Sequence, residues 1–60
     1  MMHQAQIIEL IGCLQDQICE LKVTLEVLEA YKLTHSAKAQ QSVIDELIEQ
    51  VRLLQIRAKG

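Results

Sequence analysis

Seven aliphatic residues, Ile7, Ile11, Leu14, Ile18, Leu21, Leu25 and Leu28, recur at alternating four- and three-residue steps. A strand repeats its faces every second residue and cannot collect them on one side. An α-helix places all seven on one seam, the a and d positions of a heptad. Such a seam is buried by another helix, so helix-to-helix association is expected to hold this chain together.

Sixty residues make one domain at most, and a chain this short buries too little surface to stabilise itself comfortably. Half of the residues are hydrophobic, chiefly Leu, Ile and Val; Tyr31 is the sole aromatic, and Phe, Trp and Pro are absent. That composition suits helices packed on helices. Sandwiches and barrels need β-rich runs broken by Gly and Pro turns.

The seam places Ile at a (Ile11, Ile18) and Leu at d (Leu14, Leu21, Leu28), a pairing common in two-stranded coiled coils. The first helix is predicted over about residues 4–33. About 140° round the same helix runs a second apolar stripe, since each residue advances roughly 100°. It comprises Ala5, Ile8, Gly12, Cys19, Val23 and Ala30, with Val27 beside it, and Glu26 interrupts it. A helix apolar on two faces is covered from two sides. Ile8, Gly12, Cys19, Val23, Val27 and Ala30 are therefore the expected oligomer face. Gly12 has two readings. A mid-helix glycine costs about 1 kcal/mol relative to alanine; it marks either a close approach of another helix backbone or an outer face that tolerates small residues.

Ser and Thr favour helix N-caps because their oxygen accepts an orphan backbone N–H. Thr34-His35-Ser36 is accordingly the expected turn, with Ser36 capping a second helix over about 37–58. Ser42 is the alternative start, because Ser42-Val43-Ile44-Asp45 matches a capping box. The second seam is Ile44, Leu47, Val51 and Leu54, continuing to Ala58 and flanked by Val43 and Ile48. Arg52, Arg57 and Lys59 lie late in this helix, where cations meet the negative end of its dipole. Gly60 is a natural terminus. One continuous helix fails on register: the first frame, extended, puts Lys32, His35, Ser42, Glu46 and Glu49 on the seam. A break restores both seams. The expected fold is all-α, an antiparallel helical hairpin over residues 1–60 that dimerises into a four-helix bundle.

Chemistry-bearing patterns are scarce. The sequence has no Gly-rich phosphate loop, nucleophile elbow or HExxH motif, so no catalytic residue and no cofactor is expected. Glu9, Asp16 and Glu20 read as a solvated face. Cys13 and Cys19, six residues apart, point about 240° apart on a helix and cannot bridge within it. They read as reduced small hydrophobes, with an intersubunit disulfide as the alternative. With His3 and His35 far from both, they match no zinc spacing, and no metal is expected. His3 is expected to fray, and His35 to lie in the turn.

The net charge of −2 lowers the odds of a nucleic-acid partner, which usually meets a basic face. No apolar run approaches the ~20 residues of a membrane span. Met1 to Gln6 lacks the basic segment and cleavage site of a signal peptide, so a cytoplasmic location is expected. Leu53 and Ile56 are apolar residues placed on the side of the second helix away from its seam, among Asp45, Glu46 and Glu49. They form a candidate docking patch for a protein partner.

Two family comparisons bear on function. The aspartyl-phosphate phosphatases of sporulating bacteria carry an S-Q-E-L-D type motif on a second helix. Ser42-Val43-Ile44-Asp45-Glu46-Leu47 places Ser and Asp at a different spacing, so no catalytic role carries over. The expected architecture resembles plasmid-encoded RNA-binding hairpin dimers in arrangement alone, with no shared motif. The length is similar to that of accessory reading frames of temperate phages and plasmids. The expectation is a small non-enzymatic module for protein–protein interaction, assembly or regulation, associating with itself as a homodimer or higher oligomer. An RNA-binding hairpin dimer is the alternative.

Overall fold

A computed structural model describes residues 3–59. It is a hairpin of two helices, α1 (Gln4–Ala30) and α2 (Thr34–Lys59), packed along their length. The expected chain ends at Met1, Met2 and Gly60 lie outside the described residues.

α1 starts where the sequence places it. Its N-cap is His3, which is extended (φ −71°, ψ 154°) and exposed. The His3 N–H donates to Gln6 Oε1 at 3.0 Å, the backward half of a capping box. His3 therefore occupies the N-cap position, with its backbone N–H held by the Gln6 side chain.

The turn occupies residues 31–33, three positions earlier than expected, and both Ser36 and Ser42 lie inside α2. The reason is a stop signal written without glycine. Lys32 adopts the left-handed conformation, φ 59°. Its N–H donates to the Glu29 carbonyl at 3.0 Å, and the Leu33 N–H donates to the Leu28 carbonyl at 2.9 Å. Those bonds form a Schellman motif, which satisfies carbonyls that the end of α1 leaves orphaned. α2 then begins directly, its first bond running from the Ala37 N–H to the Leu33 carbonyl at 2.9 Å. Ser42 has no capping role, since its hydroxyl donates back to the Lys38 carbonyl at 3.2 Å, as mid-helix serines do. His35, expected in the turn, belongs to the first turn of α2.

The second seam extends to the turn. Ala37 and Gln40 continue the heptad of Ile44, Leu47, Val51, Leu54 and Ala58 toward the turn. Ala37 is buried and Gln40 half-buried. The core lies between the helices. Ile18, Ile44 and Val51 form its buried centre, with Ile11, Leu14, Leu21, Leu25 and Leu47 packed against it. Ile44 is 1% exposed, the most enclosed side chain among the described residues.

Candidate functional site

The two seams account for the inner surfaces. Along α1, Ile18 is buried, and Ile7, Ile11, Leu14, Leu21, Leu25 and Leu28 are half-buried; along α2, Ile44 and Val51 are buried, and Leu47 and Leu54 are half-buried. Any further function belongs to what the hairpin leaves outside.

Two broad faces remain, one on each side of the plane through the helix axes. Position e of one helix lies beside e of its antiparallel neighbour, and g beside g. The structure shows both pairings. Near the turn, Glu29 (e) of α1 shares a depression with Gln41 (e) and Lys38 (b) of α2. Near the open end, Leu10 (g) of α1 shares a groove with Gln50 and Arg57 (g) and Leu53 (c) of α2.

These faces differ sharply in charge. The e/b face carries Lys22, Glu26 and Glu29 on α1, and Lys38, Asp45, Arg52 and Lys59 on α2. The g/c face carries Glu20, Glu46 and Arg57 alone among charged residues, and it presents Leu10, Val27, Tyr31, Val43 and Leu53 as exposed hydrophobics. Depletion of charge at the centre of a patch, with aromatic and aliphatic enrichment, marks protein interfaces better than overall hydrophobicity does.

The expected oligomer face of α1 is exposed along its length. Ile8, Gly12 and Cys19 belong to the e/b face, and Val23 and Ala30 lie on the outer edge opposite the seam. Val27 belongs to the g/c face. All six are exposed. No neighbour lies within 4 Å of a Cβ built on Gly12, so within the hairpin this glycine accommodates no close backbone.

Leu53 and Ile56 meet α1 residues across the open end. Both are exposed and line a groove of about 520 Å³ with Leu10, Leu14 and Leu54, Leu53 from position c and Ile56 from the outer-edge position f. The missing partner was Leu10, which a single-helix wheel cannot bring to α2. Antiparallel pairing brings it there.

Polar chemistry is sparse. Arg52 makes a two-point contact with Glu49 one turn earlier on α2. The Arg52 hydrogen bond holds the Glu49 carboxyl below its ordinary range, and Glu49 in turn raises the Arg52 guanidinium. Both side chains are more than half exposed, so the pair adds little to stability. Among the described residues, no three His, Cys, Asp or Glu side chains gather where they could hold a metal. Cys13 and Cys19 are free and exposed. No helix among them is long and apolar enough to cross a membrane. The basic residues of α2 form no continuous track: Lys38, Arg52 and Lys59 share the e/b face with Asp45, and Arg57 lies on the other. No family model, curated protein or solved structure matches the chain significantly.

Proposed function

We propose that this chain is a small non-enzymatic interaction module that works by helix–helix packing, with self-association into an antiparallel four-helix bundle as its basic assembly. In this reading it serves in the cytoplasm as an assembly unit or regulator that occupies a helical surface. The imbalance between core and surface carries the reading. Among the described residues the hairpin buries only Ile18, Ala37, Ile44 and Val51, and ten large hydrophobics, Val23 and Leu53 among them, stay exposed. Burial is worth roughly 25 cal/mol per Å² of apolar surface, and a domain of this length is marginal without a partner. Association supplies the burial that one hairpin lacks.

Sedimentation of the wild-type chain across a concentration series, with circular dichroism on the same samples, tests this. The expected result is a dimer or higher oligomer at micromolar concentration, whose helicity falls with its mass on dilution. A fully helical monomer at micromolar concentration overturns it.

A further inference from the structure

We infer that the surface through which this chain meets a second copy of itself is the g/c face, centred on Leu10, Val43 and Leu53, and not the Ile8–Val23 stripe of α1. The inference rests on the self-association reading and adds to it the location of the interface.

Three observations select this face and this occupant. The first is register. At roughly 100° per residue, positions d, g and c centre about 90° round the helix from the a/d seam, where a second neighbour can pack. The groove at the open end has this composition, d positions Leu14 and Leu54 lying beneath Leu10 and Leu53. The e/b face offers the equivalent geometry but fills it with charge, Lys22, Glu29 and Lys38 among others, so covering it would desolvate many ions.

The second is extent. Exposed hydrophobics stand on both helices, Leu10 and Val27 on α1 with Tyr31 at its C-cap, and Val43 and Leu53 on α2, with Gln17, Glu20, Thr24, Glu46 and Gln50 spaced between them. One partner helix would cover a single groove. Hydrophobics on two antiparallel helices fit a partner built of two antiparallel helices, and this chain is itself such a partner. A two-fold axis then uses the same patch from both copies.

The third is area. The hairpin measures 43 × 15 × 14 Å. One broad face is therefore roughly 650 Å² across the Cα frame before side chains widen it, close to the ~800 Å² per partner of a standard interface.

Sedimentation equilibrium of the wild type, Leu10→Glu, Leu53→Glu and Val23→Glu tests the assignment. Leu10 and Leu53 are 37% and 50% exposed, so a glutamate at either reaches water in the monomer and is buried only in the assembly. Leu10→Glu and Leu53→Glu are expected to weaken self-association at least tenfold, and Val23→Glu to leave it unchanged. Thiol alkylation of the wild type provides a readout that requires no substitution. Cys13 (c) lies on the proposed interface and Cys19 (b) on the opposite face, and cleavage before Asp16 separates them for mass spectrometry. Alkylation of Cys13 is expected to slow as the protein concentration rises, while that of Cys19 does not. A dimer that survives both leucine variants, or one that protects Cys19 instead of Cys13, overturns the face assignment and leaves self-association standing. A monomeric wild type overturns both.

Discussion

Gln4 and Ala58, 54 positions apart in sequence, meet at the open end of the hairpin, where the Gln4 side-chain amide donates to the Ala58 carbonyl at 2.8 Å. That carbonyl is one of those the last turn of α2 leaves without an intrahelical donor. The first turn of one helix therefore caps the last turn of the other and ties the two ends together. Gln4→Ala is expected to destabilise the hairpin by about 0.5–1 kcal/mol, the net worth of an ordinary hydrogen bond. A urea midpoint lowered with unchanged slope is the expected readout. An unchanged midpoint shows that water serves Ala58 equally well.

Lys32 offers a gain rather than a loss. It holds a left-handed backbone, φ 59°, which costs an L-residue roughly 1–2 kcal/mol and glycine almost nothing. The Schellman bonds at residues 32 and 33 come from backbone N–H groups and survive the change. Lys32→Gly is expected to stabilise by about 1 kcal/mol, or roughly 4–8 °C in Tm for a chain of this size. Wild type and variant must be melted at equal concentration, because association shifts Tm. A lower Tm for the glycine variant contradicts the assigned turn.

The same residue explains where the sequence could and could not be read. The Ile7–Leu28 and Ile44–Leu54 seams are written in side-chain spacing, and spacing survives any choice of turn. The turn is not written that way. Its stop is a lysine in a conformation usually reserved for glycine, and α2 starts with no side-chain cap, so attention falls on Ser36 and Ser42, which lie within the helix. Ala37 and Gln40, the turn-side end of the second seam, are a small and a polar residue that large-aliphatic spacing does not mark. The outer faces were less legible still. Whether Leu10 belongs with Leu53 or with Ile8 depends on which flank of each helix lies beside the other, and that is a property of the antiparallel pair.

Ile44 tests the core. At 1% exposure it belongs to the buried cluster with Ile18 and Val51. Ile44→Val removes one methylene and is expected to cost about 1 kcal/mol; Ile44→Ala is expected to cost roughly 2–4 kcal/mol, enough to unfold much of a chain this small. Ile8→Ala, at an exposed position, serves as the control and is expected to change stability by less than about 0.5 kcal/mol. Equal losses at residues 8 and 44 would mean that the hairpin core is not where the structure places it.

Glu49 governs a small acid-side dependence. Its folded pKa is lowered by the Arg52 hydrogen bond. A carboxylate depressed in the folded state contributes stability above its unfolded pKa, and the contribution is lost as the pH falls through the folded value. Glu49→Gln is expected to flatten that part of the acid limb and to lower Tm barely at neutral pH, since the pair is exposed. Added salt should shrink the difference further. A large, salt-resistant loss at neutral pH would show Glu49 buried in an assembly, against the outer-edge position given by its register.

Gly12 separates the two candidate assembly surfaces without introducing a charge. Mid-helix glycine costs about 1 kcal/mol relative to alanine, and a methyl group at this position meets nothing within 4 Å in the hairpin. Gly12 lies on the e/b face. If the second copy packs on the g/c face, Gly12→Ala gains helix propensity without losing a contact. The expected outcome is then a rise of about 1 kcal/mol in stability with self-association undiminished. If another helix backbone instead approached at Ala5, Gly12 and Cys19, the added methyl would clash there. Association would weaken even as the helix improved. Sedimentation and thermal unfolding on the same sample therefore diverge in the second case and not in the first. A Gly12→Ala variant that is more helical yet monomeric would return the interface to the small-residue stripe of α1.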